Sequence, residues 1–102
     1  MVKKIPKKLN VGYKQYRVVR VKSYPGWQVG EINHRKKLLG VARYMRVLQT
    51  GAFSRMTTRE QWETFWHETM HGILHDMKRH DLNNERFVNA FCRRLYQALD
   101  SR

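Results

Sequence analysis

Two runs of apolar residues at helical spacing close the sequence, and they constrain the fold more than any other feature. Trp62, Phe65, Trp66, Met70, Ile73, Leu74 and Met77 recur at i, i+3 and i+4, and Phe87, Val88, Phe91, Cys92, Leu95 and Leu99 repeat that rhythm. Each stripe has to be buried against something. The first run opens at Thr57-Thr58-Arg59-Glu60, a hydroxyl at the N-cap followed three residues later by a carboxylate. Asp81-Leu82-Asn83-Asn84 interrupts the pattern and offers caps for the second helix.

The preceding half has a different period. Residues 1–15 read as a basic arm in which Pro6 and Gly12 oppose regular structure. Tyr16-Arg17-Val18-Val19-Arg20-Val21-Lys22 is β-branched and reads as a strand. Ser23-Tyr24-Pro25-Gly26 supplies turn chemistry, and Trp27-Gln28-Val29-Gly30-Glu31-Ile32-Asn33 follows with partial alternation. His34-Arg35-Lys36-Lys37 then turns into Leu38-Leu39-Gly40-Val41-Ala42. Residues 43–56 fit a strand or a short helix equally well, and Gly51 ends either. The chain's 102 residues allow one compact domain. The expectation is an α+β domain over residues 16–102, with a small antiparallel sheet of about three strands and two helices packed on one face of it. A single cysteine, Cys92, excludes an intrachain disulfide, and its place on the apolar stripe predicts an inert buried thiol.

The chemistry lies in the first helix. His67-Glu68-Thr69-Met70-His71 is an H-E-x-x-H pentapeptide. Residues four apart on a helix are separated by about 40° and about 6 Å, so both imidazoles can reach one ion. Glu68, next to the first histidine, projects beside that ion, where it can take a proton from a bound water and deliver it to a leaving amine. Without a metal, the same residues are two histidines at the margin of an amphipathic helix. A third ligand is required. His75 would extend the row, but three ligands in one straight row span about 12 Å, so a solvated histidine is the better reading. His80, in the turn, is a weaker candidate that could fold back. Glu85, fourteen residues after His71 in the first turn of the second helix, is brought back toward the metal helix if the helices run antiparallel. A carboxylate there equally suits the helix dipole, and spacing alone does not choose between the two readings.

The segment Glu85-Arg86-Phe87-Val88-Asn89-Ala90-Phe91-Cys92-Arg93-Arg94-Leu95 resembles the third-ligand helix of the ImmA/IrrE-type gluzincin metallopeptidases. The glutamate opening that helix is followed by an aliphatic residue, an Asn and a Phe in the register of Val88, Asn89 and Phe91. Residues 66–99 are also similar to small phage and prophage proteins of this group. The resemblance implies a minimal zincin-like fold in which His67, His71 and Glu85 bind zinc (Zn2+) and Glu68 is the base. It implies peptide-bond hydrolysis of a protein or peptide substrate, in the host cytoplasm if the protein is phage-encoded. Gly72 stands where Ala is frequent, and residues 43–56 are longer and more basic than the usual link. Tyr96, His80 and Arg79 are the candidates for transition-state stabilisation.

Charge adds a second theme. Residues 1–60 hold 15 Lys and Arg against Glu31 and Glu60, whereas residues 61–102 balance to zero, so the whole formal charge of +13 belongs to the first part. Such asymmetry fits a polyanionic partner, nucleic acid or an acidic protein, on a surface expected to include Lys3, Lys4, Lys7, Lys8, Arg35, Lys36 and Lys37, and charge alone suits a solvated, solubilising surface equally well. The alternative function is therefore a basic nucleic-acid-binding or host-protein-binding phage regulator with a structural or vestigial metal site. No apolar run approaches a membrane span and no apolar segment follows the basic start, so a cytoplasmic monomer without membrane contact is expected.

Overall fold

The computed structural model describes residues 4–100, in which eight elements follow one another: β1 (Lys8–Val11), β2 (Lys14–Val21), β3 (Gly30–Asn33), β4 (Leu38–Ala42), β5 (Tyr44–Arg46), β6 (Phe53–Arg55), α1 (Thr58–Asp76) and α2 (Glu85–Asp100). The architecture is α+β. The expected sheet is corrected in two respects: it has four strands in the order β1-β2-β4-β3, and it is mixed. β1/β2 and β3/β4 are antiparallel, but β2 and β4 run parallel from Arg17↔Leu38 to Val21↔Ala42. The chain crosses from β2 to the far edge and returns, so the β3–β4 hairpin inserts β4 beside β2. β1 lies within the stretch read as an irregular arm. Gly12, at φ 60°, makes the tight turn into β2 instead of ending regular structure. The ambiguous segment 43–56 forms a separate two-stranded hairpin, β5/β6.

Alternation divides the sheet into two faces. Tyr16 and Val18 of β2 and Leu39 and Val41 of β4 turn inward and are buried; Val18, Leu39 and Val41 pack with Phe65 of α1 and with Ile5, Leu9, Ile32, Trp62 and Trp66 around them. Burying a side chain such as Leu39 contributes about 1.5–3 kcal/mol. A second cluster of Leu74, Val88 and Cys92, with Met70, Leu82, Phe87 and Tyr96, joins α1 to α2. α1 is thus covered by the sheet on one side and by α2 on another, whereas both helices were expected on the sheet.

This double covering explains why the expected stripe on α1 is only partly correct. Ile73 and Met77 are exposed, while Gln61, Thr64, Thr69 and Gly72 are buried. The buried hydroxyls are satisfied within the helix: Thr64 Oγ1 donates to Glu60 O (3.0 Å) and Thr69 Oγ1 to Phe65 O (2.7 Å). Gln61 donates to Met56 O (3.0 Å) and accepts from the Arg20 guanidinium, which ties β2 to the start of α1. The capping box is present, with Glu60 N donating to Thr57 Oγ1 (3.1 Å) and Thr57 N to Glu60 Oε1 (2.8 Å). Asn84 caps α2 by accepting from Phe87 N at 2.9 Å. An ion pair between Arg59 and Asp100 joins the start of α1 to the end of α2, as antiparallel helices require. No helix among the described residues is long and apolar enough to cross a membrane.

Candidate metal centre

α1 passes close to β3 because glycines stand at both points of approach. A Cβ on Gly30 would lie 2.6 Å from Thr64 Cγ2 and 3.2 Å from Glu68 Cγ, and one on Gly72 would lie 2.8 Å from Ile32 Cδ1. The histidine-bearing stretch of the helix is therefore held beside a sheet edge, since β3 is hydrogen-bonded to β4 alone. Ala42 N donates to Val29 O, so by antiparallel alternation Gly30 and Ile32 turn their backbone groups to the open edge.

The antiparallel return of α2 brings Glu85 onto the two histidines. Glu85 Oε2 lies 3.1 Å from His67 Nε2, Glu85 Oε1 lies 2.8 Å from His71 Nε2, and the two Nε2 atoms are 3.3 Å apart. His67, His71 and Glu85 each offer a donor atom within 4.8 Å of the others. Both imidazoles are largely covered, at 20% and 14% side-chain exposure, while Glu85 is open to solvent at 69%.

Asn83, in the loop between the helices, orients the second histidine: its Oδ1 lies 2.6 Å from His71 Nδ1. An amide oxygen only accepts, so Nδ1 carries a proton, and in the neutral form of the ring the lone pair is on Nε2, the atom that faces Glu85 and His67. Burial holds His67 below the usual histidine range, with the Glu85 carboxylate opposing and His71 reinforcing that shift. Neutral imidazole is the metal-binding form. Electron-rich atoms converging at these distances repel one another unless a proton or cation lies among them. Donors about 2.0–2.1 Å from a tetrahedral zinc stand about 3.3 Å apart, which matches the separation of the ring nitrogens. Two imidazole nitrogens and a carboxylate oxygen form a donor set that suits a divalent transition metal such as zinc, and the group could hold such an ion.

Glu68 lines the adjoining cleft and makes no side-chain hydrogen bond or ion pair among the described residues. Burial pushes its carboxyl up to about 7, His71 opposing and Glu85 and Glu31 adding to the rise. The cleft has a volume of about 520 Å3 and runs from Trp27 and Gly30 past Met45 and Met56 to His67 and Glu85. Glu60, Glu63, Glu68 and Glu85 line it, and no described Lys or Arg does.

The other candidates separate. His75 is stacked on His34 (ring centroids 3.7 Å apart, planes at 4°) instead of being solvated, and His80 meets His75 edge-on at 5.7 Å, so neither joins the ligand group. Arg79 is paired with Asp81. Tyr96 lines the cleft, with its hydroxyl donated to Glu63 O. Trp27 stands at the cleft, 57% exposed, with the Arg46 guanidinium 5.8 Å from its ring. Cys92 is buried and its thiol is raised by desolvation, as an inert core cysteine requires. Of the basic residues, Lys7, Lys8, Lys36 and Lys37 line one groove on the sheet. Lys4 lies in a different pocket beside Arg20 and Trp62, Arg35 is exposed in the β3–β4 turn, and Lys3 lies outside the described residues. Reasoning from sequence gave Asn83 a capping role only. A side-chain amide just before the Glu85 helix, on the turn leading back to His71, was the available signal.

No family model matches the chain, and no curated protein and no solved structure does either.

Proposed function

We propose that the protein is a zinc-dependent peptidase with a minimal zincin-like centre of gluzincin type, in which His67, His71 and Glu85 hold the metal and Glu68 moves the proton. The observation that carries this reading is the convergence of three donor atoms from two helices, with His71 turned by Asn83 to present its lone pair. Zinc in that position supplies a Lewis acid for a peptide carbonyl and lowers the pKa of water. Glu68 adjoins His67 and has no hydrogen-bonding or ion-pair partner among the described residues, so its carboxylate would be free to take the proton of the attacking water and pass it to the leaving amine.

The open edge of β3 offers the Gly30 N–H and the Ile32 backbone groups to an extended peptide, which adds as a further strand alongside the metal helix and displaces Gln28 Nε2 from Gly30 O, to which it donates at 3.0 Å. Trp27, Met45 and Met56 give one of its side chains an apolar wall, and the four glutamates favour a cationic sequence. The test is cleavage of unstructured Lys- and Arg-containing peptides by the zinc-loaded protein. Glu68→Gln keeps zinc and loses cleavage, whereas His67→Ala loses both. Cleavage by Glu68→Gln at the wild-type rate, or no cleavage of any peptide by the wild type, contradicts the proposal.

A further inference from the structure

The sheet face turned away from α1 carries no helix, and part of the chain's basic charge gathers beside it. Lys7, Lys8, Arg17, Lys36, Lys37 and Arg43 line a groove of about 870 Å3 with no carboxylate among its lining residues. Arg17 and Arg43 escaped the sequence reading because each stands apart from the lysine runs. Strand alternation supplies the placement: Tyr16 and Val18 point into the core, so Arg17 points out, and its register partner Lys8 does so beside it. Neighbouring strands are about 4.8 Å apart, while Arg17, level with Leu38, lies about 16 Å along the strands from Arg43. None of the six forms an ion pair among the described residues. These charges repel one another, so the face favours a polyanion that neutralises them together.

We propose that this outer sheet face is a docking surface for the backbone of duplex DNA. The cations spread in two dimensions, which suits the paired phosphate strands of a duplex better than a single strand tracked along a line. No described residue lining the groove is aromatic, so an unpaired base finds no ring there on which to stack. Among its described lining residues Gln15 alone carries a side-chain oxygen acceptor, which leaves little to accept hydrogen bonds from the 2′-hydroxyls of duplex RNA. Recognition is therefore electrostatic and independent of sequence. The glutamate-lined cleft on the helix side repels phosphate, so DNA on the sheet leaves the metal centre free.

Fluorescence anisotropy of a labelled 20-base-pair duplex, titrated with the full chain at several salt concentrations, tests this. Six neutralised phosphates predict a log K against log salt slope of about −5, or about 1,000-fold weaker binding at 200 mM than at 50 mM salt. Arg17→Gln with Lys36→Gln lowers the slope by about 2 and weakens binding at least 10-fold at 100 mM salt. Arg93→Gln with Arg94→Gln, which removes equal charge from exposed positions on α2, changes neither the slope nor the affinity measurably. Glu85→Ala also leaves binding intact, so failure of the peptidase reading does not affect this result. A slope near zero, equal weakening by the α2 pair, or tighter binding to single-stranded DNA or duplex RNA overturns the proposal.

Discussion

Asn83→Ala is expected to weaken zinc binding by about 30–100-fold while leaving the fold intact. Asn83 Oδ1 lies 2.6 Å from His71 Nδ1, and His71 is only 14% exposed. That bond selects the tautomer whose Nε2 lone pair faces Glu85, and it also sets the rotation of the ring. Partners of this kind alter metal affinity by about 10–100-fold, or about 1.4–2.7 kcal/mol. The short bond and the covered ring place this pair in the upper part of that range. Loss of one hydrogen bond costs the metal-free fold only about 1 kcal/mol, so affinity and stability should separate. Competition for zinc with a chromophoric chelator measures the first, and thermal melting with chelator present measures the second. Asn83→Asp keeps an acceptor for the same proton and makes the ring more basic, so it should bind zinc at least as tightly as the wild type. Unchanged affinity in Asn83→Ala, or an Asn83→Asp variant as weak as the alanine, would refute the orienting role.

Other consequences follow from packing and charge. Gly30→Val drives a side chain into Thr64, whose hydroxyl is tied to Glu60 O, so it should cost about 1–3 kcal/mol. It should also reduce peptide cleavage while zinc stoichiometry persists, because all three ligands lie on the helices; wild-type stability and turnover would contradict the close approach of β3. His34, stacked on His75 and bonded to the Tyr16 hydroxyl, is held below the usual histidine range by burial first, then by His75, Lys14, His71 and Lys37. The unfolded chain therefore takes up this proton first as the pH falls, and the folded state loses stability below about pH 6.5 until the depressed folded value is passed. Metal-free protein should melt lower at pH 5 than at pH 7, with a shallower fall in His34→Gln; an equally steep fall in that variant would exclude His34 as a source.

Local signals survived into the structure and non-local ones did not. The Thr57–Glu60 capping box, the Asn84 cap and the four-residue spacing of His67 and His71 depend on neighbours in sequence, and all appear where they were read. Glu85 was legible because a short connection forces antiparallel helices, which leaves few places for the first turn of α2. The parallel pairing of β2 with β4 had no local signature, since it depends on the β3–β4 hairpin folding back across the sheet. Periodicity also misplaced Ile73 and Met77, because a helix covered on two sides buries small and hydroxylated residues where another element approaches closely. Thr64, Thr69 and Gly72 fill those positions, the two threonines bonding carbonyls of their own helix. The uneven charge is likewise resolved in space: Lys4 and Arg35 stand apart, while Arg17 and Arg43 join Lys7, Lys8, Lys36 and Lys37 in lining one groove.

The central claim is that His67, His71 and Glu85 form one metal centre. Its most direct test is the metal content of the purified, dialysed protein, with wild type compared with Glu85→Ala. Glu85 is exposed and lies at a helix start, so its truncation should leave the fold intact. The account predicts one zinc per chain in the wild type and its loss in Glu85→Ala, with unchanged circular dichroism. No metal in the wild type, or full retention of zinc by Glu85→Ala, would contradict it.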